Sequence, residues 1–311
     1  MVVALVALGA CRPGLPPPPP PPGTSPTIEG CPVFPSDNAW NKDISALPVH
    51  PNSNAFVNNV IASAAGVTAR TKLHPDFGGG GQYGIPFIVV GAAEPAQPIV
   101  YTAYGDESDP GPFPIPSTAP VEGGNASDGD RHVIAVQKES CHLFELYRAF
   151  WRGDHWEADS GTNWDLRSNA LRPLGWTSAD AAGLPILPGL VRYDEVAAGK
   201  INHALRFTVK WTQRGYVLPA THFASSSTDA NRPPMGLRFR LKAGYDISGY
   251  TGQTRVILEA LKKYGMIVAD NGSPWFITGA ADPRWNDNDL NQLKSVPGSA
   301  FEVVDTGPIQ H

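Results

Sequence analysis

The chain has 311 residues and a formal net charge of −5, with 41% hydrophobic and 17% charged residues, 32 Gly and 32 Pro. The acid excess excludes a general nucleic-acid binder, and no stretch reaches the roughly 18 consecutive apolar residues of a membrane-spanning helix. A low charged fraction with so many turn-forming residues favours many short strands over long helices.

The chain opens on an apolar run, residues 2–10, that ends in Leu8-Gly9-Ala10-Cys11. This resembles a lipobox, although no Lys or Arg precedes the run; an ordinary secretory signal is the alternative. The expectation is that 1–11 is a lipoprotein signal with Cys11 lipidated. The protein is then exported and lipid-anchored at the cell envelope or cell surface, touching the membrane through that anchor only. Residues 12–27 form a Pro-rich tether, in which Pro16–Pro22 holds polyproline II at about 3.1 Å per residue. Residues 28–311 form a single catalytic or binding domain, long but feasible for a β architecture. Cys31 and Cys141 remain, and in an oxidising compartment an isolated pair is most simply a disulfide.

Ser53–Ala65 reads as a short helix, with Ser53 as its cap, Phe56, Val60 and Ile61 on one face, and Gly66 as its stop. Gly78–Gly81 is a loop, and Ile85–Val90 an apolar run typical of a buried strand. His132–Gln137 and His142–Phe150 read as a hairpin around Lys138-Glu139-Ser140. His203–Trp211 alternates almost completely: His203, Leu205, Phe207, Val209 and Trp211 on one face, Arg206, Thr208 and Lys210 on the other. Met235–Ala243 repeats the pattern, with Arg238, Arg240 and Lys242 on the wet side. Thr254–Tyr264 is a helix stopped by Gly265. Met266–Ala269 and Trp275–Thr278 are late strands around an Asp270-Asn271-Gly272 turn. The fold class is mainly β, an antiparallel β-sandwich or jelly-roll-like architecture with a few short helices.

Three segments are distinctive: Leu73-His74-Pro75-Asp76-Phe77-Gly78, the run Trp176 to Ile186, and Tyr264 to Gly272. On these the domain resembles a family of secreted proteins from soil bacteria, along most of residues 31–305. The resemblance implies export and a single domain and carries no particular chemistry.

The chain has no Gly-x-Ser-x-Gly elbow, zinc helix or phosphate loop, and nothing calls for a metal or a cofactor. The chemistry rests on weaker constellations. If their two strands are neighbours, Arg206, Arg238 and Arg240 form an anion-binding face; ordinary solvent-facing charges are the alternative. His203 and His222 suit proton transfer near neutral pH. His203 falls on the face opposite Arg206 unless a bulge intervenes. Glu145, mid-strand among apolar neighbours, and Asp165 are the candidate carboxylates. Trp164 and Tyr193 are candidate platforms for sugar rings. Together these point to an extracellular carbohydrate-active enzyme that cleaves a polysaccharide, as a glycoside hydrolase or a polysaccharide lyase. The alternative is a non-catalytic, surface-anchored module that binds glycan or a partner.

Overall fold

The computed structural model describes residues 25–311, so Cys11 and most of the tether lie outside the described residues. The strands are β1 (Thr27–Ile28), β2 (Cys31–Pro32), β3 (His74–Asp76), β4 (Ile88–Val90), β5 (Ile99–Tyr101), β6 (Val133–Gln137), β7 (His142–Tyr147), β8 (Phe150–Trp151), β9 (Trp156–Ala158), β10 (Ser160–Asp165), β11 (Leu205–Val209), β12 (Arg238–Leu241), β13 (Met266–Asn271), β14 (Phe276–Thr278) and β15 (Phe301–Val303). The helices are α1 (Ser53–Ala62), α2 (Tyr193–Ala197), α3 (Gly252–Lys263) and α4 (Asp287–Leu290).

A six-stranded sheet runs in the order β15-β12-β13-β11-β14-β3, and a four-stranded sheet in the order β10-β7-β6-β4. A smaller sheet orders β5-β9-β8, and β1 pairs with β2. The protein is mainly β with few helices, as its turn-rich composition implies, and none of these sheets closes into a barrel. The antiparallel expectation needs correction, because β11–β13, β14–β3, β4–β6 and β5–β9 all run parallel. Side-chain alternation marks a strand but carries no direction, and long connections permit parallel neighbours.

Two cores share the four-stranded sheet. Ile134, Val136 and Leu143 join the larger one, built around Phe207, Phe239 and Trp275. Val133, Ala135, Phe144 and Leu146 face the other way, onto Phe113, Ile115 and Trp156. Helix α3 buries Ile257 and Leu261, with Tyr264 just past its end, the stripe its spacing predicts, and Leu258 beside them; α1 buries Phe56, Val57 and Val60. Ser53 does not cap α1; its hydroxyl accepts from Val303 N at 2.8 Å and ties the helix to β15.

The basic face is also corrected. Strand β13 separates β11 from β12, and Arg206, Arg238 and Arg240 are only 4%, 3% and 6% exposed. Loops cover that face. Arg238 donates to the carbonyls of Ala39 and Tyr264 at 2.7 Å each. Arg240 donates to those of Ile44, Ser45 and Leu47 and pairs with Glu302. Burying a guanidinium is tolerable only with such partners. These two side chains brace the N-terminal segment and do not form an open anion-binding face.

Cys31 and Cys141 form the expected disulfide, across 110 residues of sequence. It pins the start of the domain to the hairpin of β6 and β7. Replacing both cysteines by serine should cost about 5 kcal/mol, the loop-closure entropy returned to the unfolded chain. Urea unfolding with and without reductant checks this: the double variant should match the reduced wild type.

Candidate active site

Two polar rows, one on each of the larger sheets, meet at a cleft. On the six-stranded sheet, Thr278 pairs with Asp76, and Arg206 Nη1 donates to Thr278 Oγ1 at 2.7 Å. The register between β11 and β13 shifts after Phe207, so that Thr208 faces Asp270 instead of Ala269. A bulge of this kind re-aims a side chain. Here it turns Asp270 onto the face of Arg206, with Arg206 Nη2 3.6 Å from Asp270 Oδ2. On the four-stranded sheet, Tyr147 pairs with Ser160, and the His132 ring lies 5.6 Å from that of Tyr147.

The segment Trp176–Ile186 joins the rows. Arg206 grips Asp180 with both ends of its fork, Nε to Oδ2 at 2.6 Å and Nη2 to Oδ1 at 2.8 Å. Both side chains are buried, at 5% and 0% exposure. Beneath them Glu145, fully buried, accepts from the backbone N–H of Ile186 (2.9 and 3.0 Å) and Leu187 (2.9 Å). A cavity of about 160 Å³ opens above, walled in part by His132, Tyr147, Asp180, His222 and Asp270.

The charges in this cleft are mostly negative. Burial pushes the Asp270 carboxyl up to about 7, and the nearby charge of Asp180 adds to this against the pull of Arg206. Burial likewise raises Asp76; Arg206 opposes, while the charges of Glu122 and Asp130 reinforce the rise. Burial also pushes Glu145 up to about 7, against the two backbone N–H groups that favour its anion.

His132 behaves in the opposite way. Its Nδ1 is 2.6 Å from Glu122 Oε2 and its Nε2 is 3.1 Å from the Ala179 carbonyl. A carbonyl only accepts, so Nε2 carries a proton. Burial opposes a charge on the ring, but the hydrogen bond and charge of Glu122 outweigh it and raise the His132 pKa. The same contacts hold Glu122 down despite its burial. The pair is an imidazolium and a carboxylate, fixed at the base of the loop 122–132. Arg131 stiffens that loop through the carbonyls of Asn125 and Ser127. Asp130 stands exposed beside it, close enough to act on Asp76, His132, Tyr147 and Asp270 through its charge.

The residues singled out in the sequence fall in several places. His222 lines the cleft, and Arg206 lies buried behind its wall, holding Asp180 and touching Asp270. His222 donates from Nδ1 to the Ala181 carbonyl at 2.8 Å, which leaves Nε2 as an acceptor in the neutral ring. Glu145 supports the cleft from below. His203 is fully buried, tied to the Ala204 carbonyl and to Glu195 Oε2 at 3.0 Å, away from Arg206. Asp165 is exposed and caps the turn to Arg167 N. Trp164 is buried, edge-on to Phe34, and Tyr193 packs against Trp285 under the guanidinium of Arg284. None of these four joins the cleft.

Asp76, Glu122, Asp130, His132, Asp180 and Asp270 were not singled out as chemistry. Three of them lie in the distinctive segments: Asp76 in Leu73–Gly78, Asp180 in Trp176–Ile186 and Asp270 in Tyr264–Gly272. Among the described residues no cluster of three or more His, Cys, Asp or Glu is arranged to hold a metal ion. No protein-family model matches the chain, and no curated protein or solved structure matches it.

Asp180→Asn leaves a buried guanidinium short of its anion, and should cost about 3–5 kcal/mol in chemical denaturation. Glu145 gives a signed pH effect. Its folded pKa of about 7 lies above its ordinary 4.5, so the folded state keeps a proton that the unfolded chain releases. The resulting stability is complete below pH 4.5 and is lost as pH rises through 7, about 3 kcal/mol in all. Wild type minus Glu145→Gln, compared by urea unfolding at pH 5 and pH 8, should show that loss.

Proposed function

We propose that the protein is an extracellular glycan-cleaving enzyme, and specifically a glycoside hydrolase acting on a neutral polysaccharide. The observation that carries this is the pairing of Asp180 and Asp270 on the wall of one cleft, where burial and the charge of Asp180 push the Asp270 carboxyl up to about 7, with Asp130 within electrostatic reach. Hydrolysis of a glycosidic bond needs one carboxyl that still holds a proton near neutrality and one that does not. Asp270 is the proton donor in this reading. It protonates the bridging oxygen as the bond to the anomeric carbon breaks. Asp130, exposed at the rim, takes a proton from the incoming water, whose oxygen adds to that carbon.

A lyase is the weaker reading. Elimination from a uronic acid needs a cation free to neutralise the substrate carboxylate. Arg206 is committed to Asp180, and His132 to Glu122. The remaining carboxyls would repel an acidic polymer. We also take the two larger sheets as layers of a β-sandwich whose open end is this cleft. Export through the Cys11 signal would place it where polysaccharides occur.

The test is incubation with neutral and acidic polysaccharides, read as new reducing ends and as absorbance of unsaturated uronates. Reducing ends from a neutral polymer, without uronate absorbance, are expected. Asp270→Asn should lower kcat by 10²–10⁴ with little change in KM. The rate of the wild type should fall as pH rises through about 7, as Asp270 loses its proton. Uronate absorbance from an acidic polymer would replace the hydrolase by a lyase, and binding without cleavage would leave a glycan-binding module.

A further inference from the structure

A second recess, of about 370 Å³, opens on the far side of Asp76, beyond the edge strand β3. Its walls include His74, Asp76, Tyr83, Asp287, Asn291 and Lys294. Asp76 connects the two regions: it lines this recess and lies within electrostatic reach of Arg206, Glu122 and Asp130. Strands β3 and β11 are separated only by β14, so the recess begins about 10 Å from Arg206, two strand spacings away. A short oligosaccharide bridges that distance.

Tyr83 is unusual within this recess. It is 59% exposed, yet the backbone that carries it is closely held. Gly78 and Tyr83 form an antiparallel bridge, with Tyr83 N donating to the Gly78 carbonyl at 3.2 Å. Gly79 N donates to Asp287 Oδ1 at 2.9 Å and anchors the loop to α4. Gly78 through Gly81 all have positive φ, from 60° to 119°. At Gly79 the space also matters. A Cβ there would lie 2.6 Å from the Tyr83 ring, so only glycine lets the ring lie against the loop. An aromatic face is thus held open to solvent by backbone geometry that other residues resist. Apolar sugar faces stack on such rings, and polar side chains around them take the hydroxyls.

His74 supports this chemistry. Its ring stacks on Phe276 at 4.5 Å, and its buried Nδ1 has no hydrogen-bond partner among the described residues. Burial, with the charges of Lys294 and Arg70, lowers its pKa and favours the neutral ring.

We propose that this recess is a remote sugar-binding subsite of the cleft, with Tyr83 as the stacking platform for one ring of a neutral glycan chain. The inference rests on the glycan-cleaving reading and names how the polymer is held.

The test uses the full chain in native gels cast with dextran, laminarin, xylan or mannan, and in parallel the release of reducing ends from the same polymers. At least one polymer should retard the wild type. Tyr83→Ala should weaken that retardation at least tenfold, Tyr83→Phe should preserve it, and Asp270→Asn should preserve it while losing cleavage. Because Tyr83 is exposed, its variants should keep the wild-type Tm. Cleavage with retardation unaffected by Tyr83→Ala overturns the subsite and leaves the hydrolase standing. Tyr83-dependent retardation without cleavage supports the subsite and overturns the hydrolase. Neither retardation nor cleavage from any polymer overturns both.

Discussion

The bidentate pair of Arg206 and Asp180 fastens the two larger sheets to one another and settles the charge of the cleft between them. Arg206 rises from the middle of the six-stranded sheet, where burial disfavours its charge and Asp180 overcomes that penalty. Asp180 belongs to the segment that Glu145 of the four-stranded sheet holds through Ile186 and Leu187. One ion pair and one buried carboxyl therefore fix the position of the same loop from opposite sides. A buried pair of this kind contributes little net stability over an apolar packing, but losing either partner is costly. Its value here is positional: it sets where Asp270, His132 and His222 stand relative to one another.

That commitment has an electrostatic consequence. With Arg206 satisfied by Asp180, and His132 by Glu122, both cations of the cleft are neutralised internally. Among the described residues Asp76 and Asp130 have no ion-pair partner, and Asp270 has only a 3.6 Å contact with the guanidinium that Asp180 already holds. Carboxyls crowded in a poorly hydrated space cannot all ionise, so the deepest retains its proton longest. Asp270 is that group: its side chain keeps 28% of its surface, whereas Asp76 and Asp130 are exposed. The separation of protonation states that acid–base chemistry requires thus follows from the packing of two sheets.

How much of this was legible in the sequence follows from what each residue pattern encodes. The strands around Phe207, Phe239 and Ile267, and helix α3, were readable because period-two and period-3.6 burial leave a direct trace in residue order. The hairpin of β6 and β7 and the Cys31–Cys141 bridge were readable for similarly local reasons. The destiny of Arg206, Arg238 and Arg240 was not. Alternation places them opposite the apolar face, and only the tertiary fold shows that residues 33–47 and 176–192 return to cover it. Asp270 was taken for a turn former because nothing in residue order reveals the register shift between Phe207 and Thr208. The cleft residues come from stretches spread over most of the described chain, and their convergence is a property of topology. One trace did exist. The three segments that stood out by their composition hold Asp76, Asp180 and Asp270, and the structure brings all three around Arg206.

The same topology explains why the polar row of the six-stranded sheet ends beside the second recess. Asp76 sits on β3, the edge strand, so one side of it faces the charged row and the other has no further strand to pair with. An exposed sheet edge invites unwanted association and is normally covered or interrupted. Here the edge is interrupted by the glycine loop and by α4, held together through Gly79 and Asp287. The loop therefore answers two demands at once: it blunts the edge, and it fixes Tyr83 in the open at the end of the polar row. An enzyme that shortens a long polymer needs binding surface beyond the bond it cleaves, because interactions with distant units supply the energy that positions the reacting one. In the proposed hydrolase, a sheet edge capped by a rigid aromatic loop would extend the binding surface in the plane of the row that carries Arg206 and Asp76.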